Sequence, residues 1–235
     1  MNEFRFGELR ERTLHRQLKS HFLPADGVQE VAFGRWIADI WSPSQGIIEI
    51  QTSSLSKLRP RLRDFLAHTL VTVIHPVALK KSVVTWNADQ TSIVRERRSP
   101  AKGRIETLFR EVGALAEFLL HPGFTLWFCL IEEREHRCED GLGSWRRKGV
   151  SKVDRELVSL VELKKFRAPR DWLELLPEGW LGPSTNKELA QLLGLRVNQA
   201  QSLTNCYKKL GLLEDVGVSG RSRLLRLSGR TGNPG

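Results

Sequence analysis

The chain has 235 residues, 40% hydrophobic and 27% charged, which is the composition of a folded protein with room for more than one core and excludes a disordered tail or a repeat polymer. Its 37 Lys and Arg against 27 Asp and Glu give a formal net charge of +10 and a pI near 9.9, and a field of that sign attracts polyanions, of which nucleic acid is the commonest. Three widely spaced cysteines, with no CxxC or CxxH among them, exclude a zinc ribbon or disulfide framework, and there is neither an apolar run of membrane length nor a signal core after Met1-Asn2-Glu3-Phe4-Arg5, so a cytoplasmic protein without membrane contact is expected.

Residues 3–22 read as an amphipathic helix. Leu9, Leu14, Leu18 and Phe22 recur at three- to five-residue steps, with Arg10, Arg12, Arg16 and Lys19 between them. Pro24-Ala25-Asp26-Gly27 stops it. Strand-like runs follow at 28–33, 35–41 and 46–51, separated by Gly34 and by Ser42-Pro43-Ser44-Gln45. Residues 56–68 carry the Leu58, Leu62, Phe65, Leu66 stripe of a helix, with Pro60 in its first turn. Val71-Thr72-Val73-Ile74 suits a strand buried on both faces, and 82–86 is a candidate for another. Beyond it, the pattern predicts a basic connection at 96–103, a helix over 104–120, a strand over 124–132 and a loop or hairpin over 135–147. Residues 152–166 fit helix and strand equally.

Residues 169–183, with three prolines and two glycines, read as a boundary. Thr185-Asn186-Lys187-Glu188 has the form of a capping box. It opens a short helix that ends at Gly194, and a second helix over 197–210 closes at Gly211. A hairpin over 212–218 and 221–227 completes the order of a winged helix-turn-helix.

The chemistry-bearing stretch lies in the second and third strand-like runs. With a turn centred on Ser44, facing residues have numbers that sum to 88, which sets Asp39 opposite Glu49. Strand alternation then places Gln51 on the face of Glu49. Opposed carboxylates among Ile, Val and Trp repel unless something positive sits between them, and a divalent cation resolves the conflict. The plainer reading makes Asp39 an exposed hairpin residue and pairs Glu49 with an arginine such as Arg35. A register shifted by one residue sends the two side chains to different faces.

The order of a helix bearing a Glu, a strand ending Ile37-Ala38-Asp39-Ile40, and Ile47-Ile48-Glu49-Ile50-Gln51-Thr52 resembles the PD-(D/E)XK, or restriction-endonuclease-like, nuclease superfamily over about residues 7–76. The resemblance implies an α/β fold, a restriction-endonuclease-like mixed sheet flanked by helices, and metal-dependent hydrolysis of phosphodiester bonds. It implies that Asp39 and Glu49 bind Mg²⁺ or Mn²⁺, with Glu11 as a third ligand and Glu8 as its fallback. The family signature continues with a Lys that orients the attacking water, and Gln51 stands in its place. Gln51 bonds a water but brings no charge, so Lys57, Lys80 and Lys81 are candidates for a recruited cation. His15, one turn beyond Glu11, reads as a surface or packing residue, and His75 as structural.

The expected organisation is a nuclease-like domain over 1–166 (core about 7–86, elaborated by 87–166), a linker over 167–182, a winged-helix domain over 183–228 and a disordered tail over 229–235. Trp145, Arg146, Arg147 and Lys148 suit stacking on a base and gripping phosphate, or form a basic loop with Trp145 tucked into the core. In the winged-helix module, Asn198, Gln199 and Ser202 on the second helix, and Arg221 and Arg223 on the wing, are candidate nucleic-acid contacts. The partner expected is nucleic acid, DNA ahead of RNA. A homodimer would supply the two active sites that a double-strand cut requires. The competing readings are a catalytically inactive nuclease-fold DNA-binding or regulatory protein and an RNA-associated basic protein.

Overall fold

A computed structural model describes residues 13–229. Its elements are α1 (Thr13–His21), β1 (Val28–Phe33), β2 (Trp36–Ser42), β3 (Gly46–Ile50), α2 (Arg59–Leu66), β4 (Val71–Trp86), β5 (Ile93–Arg98), α3 (Phe109–Val112), β6 (Phe124–Cys138), β7 (Ser151–Phe166), α4 (Pro169–Leu173), α5 (Asn186–Leu193), α6 (Val197–Lys209), β8 (Leu213–Ser219) and β9 (Ser222–Leu227). The expected tail from residue 230 onward, and the part of the first helix that carries Glu8 and Glu11, lie outside the described residues.

The fold is mixed α/β. Seven strands form one sheet in the order β1-β2-β3-β4-β6-β7, with β5 also on β4. The pairs β1–β2, β2–β3, β4–β5 and β6–β7 are antiparallel, whereas β3–β4 and β4–β6 are parallel. Helix α1 covers one face, where Leu14 and Leu18 meet Ile40, Ile48, Ile50 and Ile74. The other face carries the larger core: Leu62 and Phe65 of α2 and Phe109 and Val112 of α3, against Ile47, Val73, Leu126 and Phe128. All five residues of β3 are buried, as its continuous apolar character requires of a central strand. Gly46 at its start has φ +75, and a Cβ there would lie 2.3 Å from the Leu70 carbonyl oxygen. Only glycine allows the approach by which the Ile47 N–H reaches that same oxygen at 2.9 Å.

Several expected elements are recast. Residues 71–74 and 82–86 belong to one 16-residue strand, β4, whose pairing with β6 runs from Val71 to Trp86. Pro76 is accommodated because β3 ends alongside Ile74, so no ladder partner asks for its missing N–H. The first residues of the expected basic connection, 96–98, belong to strand β5, which is exposed at all six residues. The helix expected over 104–120 is broken into short 3-10 turns around the four-residue α3. Residues 152–166 are strand, because β6 offers them an antiparallel edge. The stretch 167–182 is packed into the fold: α4 buries Trp172 completely, Leu175 and Leu176 follow it inward, and the Tyr207 hydroxyl donates to the Trp172 carbonyl.

The C-terminal helices and hairpin form as expected. The Thr185 hydroxyl accepts from the Glu188 N–H at 3.3 Å, and the Glu188 carboxylate accepts from the Thr185 N–H at 2.7 Å. Ser184 bridges to Leu225, adding a short third edge to the β8–β9 hairpin. Leu189, Leu203, Cys206 and Tyr207 join the same core cluster as the main sheet, and the rings of Phe109 and Tyr207 meet edge to face, 5.3 Å apart. No helix among the described residues is long and apolar enough to cross a membrane.

Candidate functional site

The β2–β3 ladder pairs Ser42 with Gly46, Trp41 with Ile47 and Ile40 with Ile48, each pair summing to 88. At the next step side chains replace the ladder. The Asp39 N–H donates to Glu49 Oε1 at 3.2 Å and the Ile50 N–H to Asp39 Oδ2 at 2.8 Å. The pairing of β1 with β2 is interrupted at the same level. Gln29 pairs with Ile40 and Val31 with Ala38, while Glu30 between them takes φ +55, a conformation costly for a residue with a side chain. The pleat changes phase across Asp39: Ala38 packs into the core on the α2 face and Ile40 into the core on the α1 face.

This irregularity gathers charged groups from five elements. Glu49, 1% exposed, is bonded through Oε2 to Arg61 Nη1 of α2 at 2.7 Å. Burial, reinforced by the charge of Asp39 and opposed by Arg61, pushes its carboxyl up to about 7. His15 Nε2 of α1 lies 3.2 Å from Asp39 Oδ2. One turn further along α1, the buried Lys19 pairs with Glu30. Asp39, 15% exposed at its side chain, and His15, 21% exposed, open the site to solvent. A buried carboxyl poised near neutrality beside a second, accessible carboxyl is what proton transfer or cation capture requires.

The remaining expected residues distribute as follows. Gln51 donates its side-chain N–H groups to the Ser54 carbonyl at 2.6 Å and the Ser53 hydroxyl at 3.0 Å, so it braces the turn after β3 and keeps only its carbonyl oxygen for a water. Lys57 is exposed. Lys80 pairs with Glu132, and Lys81 with Glu133 and Glu135. Both are held by carboxylates of β6, so neither is the cation beside Glu49. Arg35 pairs with Asp64 instead of Glu49. His75 Nδ1 donates to the Gln51 carbonyl, 2.7 Å away, and burial pushes its pKa down. Arg61 and His15 are the residues that the sequence reading missed. His15 carried a signal in its i, i+4 spacing from Glu11. Arg61 carried none, because it meets Glu49 only once α2 docks.

Trp145 is 82% exposed at the tip of the β6–β7 hairpin, with the guanidinium of Arg146 over its ring at 5.5 Å. Lys148 beside them is exposed, while Arg147 turns back to the Val150 carbonyl at 3.1 Å. On α6, Asn198, Gln201 and Asn205 form an exposed stripe. Gln199 instead caps its own helix by accepting from the Arg196 N–H, and Ser202 donates back to the Asn198 carbonyl. Arg223 is tied to Asp215 at 2.9 Å, and Arg221 is exposed at the turn of the β8–β9 hairpin.

Among the described residues, no cluster of three His, Cys, Asp or Glu side chains is placed to hold a metal ion. Asp39 and Glu49 fit a hard divalent cation as two of its oxygen donors, since such ions keep several waters. Glu11, the expected third ligand, lies outside the described residues.

The chain is 33% identical over 158 residues to an uncharacterized protein of Treponema pallidum, a match covering 67% of this chain and 62% of the relative. It thus spans under two thirds of that relative's length. No solved structure matches it. The family model described as "Domain of unknown function (DUF8091)" matches residues 12–167, a span that holds His15, Asp39, Glu49 and Arg61 and ends as β7 ends. The chain belongs to that family.

Proposed function

We propose that the protein is a metal-dependent nuclease that hydrolyses phosphodiester bonds in DNA. It would carry the chemistry on a restriction-endonuclease-like core and hold its substrate with a C-terminal winged helix. The observation that carries this reading is the convergence of Asp39 and Glu49 where the β2–β3 ladder ends. The order α1-β1-β2-β3-α2-β4, with β3 and β4 parallel, supports it.

Asp39, Glu49 and Glu11 would hold Mg²⁺ or Mn²⁺. Such an ion, when bound, lowers the pKa of a coordinated water and neutralises charge on the scissile phosphate. Arg61 orients the Glu49 carboxylate and opposes its tendency to protonate. It also brings to this carboxylate the positive charge that Gln51 lacks. His15 fixes Asp39 Oδ2 together with the Ile50 N–H. The exposed stripe of α6, Arg221 and the Trp145 tip would set the register of the polymer, phosphate contacts positioning it and base contacts specifying it.

One second reading rests on a specific observation. Gln51 is committed to the loop and Arg61 already occupies an oxygen of Glu49, the pattern of a nuclease-like protein that binds DNA without cutting it. A cleavage panel of supercoiled, linear and single-stranded DNA and RNA, with Mg²⁺, Mn²⁺ or EDTA, separates the two. The nuclease reading expects metal-dependent DNA cleavage that disappears in Asp39→Ala and Glu49→Ala. DNA binding with no cleavage under either metal transfers the function to the non-cutting protein, and preference for RNA overturns the choice of DNA.

A further inference from the structure

The phase change at Asp39 has a second structural result. In a regular strand Trp36 and Trp41, five residues apart, face opposite sides of the sheet. Here both pack against the core on the α2 face. With Phe33, His68, Asp64 and Arg35 they line an open cavity of about 600 Å³, within the size range of small-molecule sites.

The walls of this cavity match one kind of ligand. Phe33, Trp36, Trp41 and His68 bring aromatic rings to it. The Trp36 indole N–H donates to Asp64 Oδ2 at 2.6 Å, and Arg35 Nε donates to the same oxygen at 3.2 Å. Oδ1 of Asp64 accepts no hydrogen bond from the described residues, which leaves an acceptor for the exocyclic amine of a base. Two guanidinium groups approach the Trp36 ring, Arg35 at 4.9 Å and Arg61 at 5.7 Å. Arg61 is also the group bonded to Glu49. Arg61 therefore joins one ring of the aromatic cavity to Glu49, and this contact is what relates the cavity to the carboxylate pair.

We infer that this cavity is a base-binding subsite, taking an unstacked nucleobase of the polynucleotide whose neighbouring phosphate lies at Asp39 and Glu49. The inference rests on the nuclease reading and names how its substrate is held. Aromatic stacking of this kind contributes about 1–3 kcal/mol per base, and it needs a strand whose bases can be splayed out.

The test is positional. Full-length Asp39→Asn protein in EDTA is mixed with short single-stranded DNA carrying 2-aminopurine at each position in turn. Binding is followed by anisotropy and stacking by quenching of the 2-aminopurine. Strong quenching at one position or two adjacent ones is expected. Trp36→Leu should abolish it and weaken binding by about tenfold, the equivalent of one stacked base. Trp36→Phe, which keeps a ring, should retain most of the quenching. If circular dichroism shows Trp36→Leu to be unfolded, His68→Ala, at an exposed lining residue, carries the test and should reduce the quenching. Bound DNA with no quenched position, or with uniform weak quenching, overturns the subsite while leaving the nuclease reading intact. Quenching of free 2-aminopurine nucleotide with no binding of the polymer overturns the polymer assignment and makes the cavity a mononucleotide site. Cleavage by the unsubstituted protein, measured separately, reports on the nuclease reading by itself.

Discussion

Replacing Glu135 with Gln isolates the charge network that joins the long strands β4, β6 and β7. Glu135 is 1% exposed. Burial pushes its carboxyl up, but Arg137 at 2.6 Å, Lys152 at 3.1 Å and Lys81 at 3.2 Å outweigh burial and hold it down at about 2, against an ordinary 4.5. At about 1.4 kcal/mol per unit of pKa, that difference is about 3 kcal/mol of stability. A carboxyl depressed in the folded state contributes this in full above pH 4.5 and loses it as pH falls toward 2. Glu135→Gln should therefore lower the unfolding free energy by about 3 kcal/mol at pH 7, a sizeable share of the roughly 5–15 kcal/mol typical of a domain. Urea titrations followed by tryptophan fluorescence should show the gap between the two proteins closing from pH 5 to pH 3. A gap under about 1 kcal/mol at neutral pH, or one that does not change with pH, would refute the view that these cations stabilise the ionised form.

Glu49→Gln should show the opposite sign: its raised carboxyl costs stability as pH climbs from 4.5 to about 7, so in EDTA at pH 8 the variant should unfold at higher urea than the unsubstituted chain while cleaving no DNA. Arg61→Ala leaves that buried carboxylate without its partner, and stability should fall by about 1–3 kcal/mol at pH 8 and by less at pH 5, where Glu49 is protonated; an equal loss at both pH values counts against the ion pair. Trp145→Ala, at an 82% exposed position, should leave urea unfolding within about 0.5 kcal/mol of the parent and weaken single-stranded DNA binding several-fold by anisotropy. Unchanged affinity would remove this tip from the interface.

The parts of the fold legible in the sequence are those set by neighbours in the chain. The turn around Ser44 fixed the register that brings Glu49 level with Asp39, and the Thr185–Glu188 box fixed the start of α5. Elements decided by distant partners were not legible. Pro76 and the polar Lys80-Lys81-Ser82 interrupt the apolar pattern of β4, which is one strand only because β6 runs beside its whole length. Residues 152–166 fit two periods and became strand by pairing with β6. The prolines and glycines of 169–183 concealed that Trp172, Leu175 and Leu176 are core residues. At the site, the carboxylates were readable and their company was not, since Arg61 and His15 reach them from separate helices.

Several features that break local rules meet around Asp39. Glu30 holds a left-handed conformation, Lys19 is buried, Glu49 is desolvated beside another carboxylate, the β1–β2 ladder skips this level and the β2–β3 ladder ends there. Each of these opposes stability on its own, and none is needed to close a sheet that is regular a few residues away. A one-residue change of phase moves every later side chain to the other face. Here it brings Trp36 and Trp41 to the same side, next to the Asp39 and Glu49 that the register of the Ser44 turn sets level. Other departures, such as the left-handed Gln90 and Lys148 and the buried Glu133 and Glu135, lie elsewhere, but those around Asp39 bring a carboxylate pair and an aromatic cavity to one stretch of β2, and departures that serve such juxtapositions are how a site is built into a sheet.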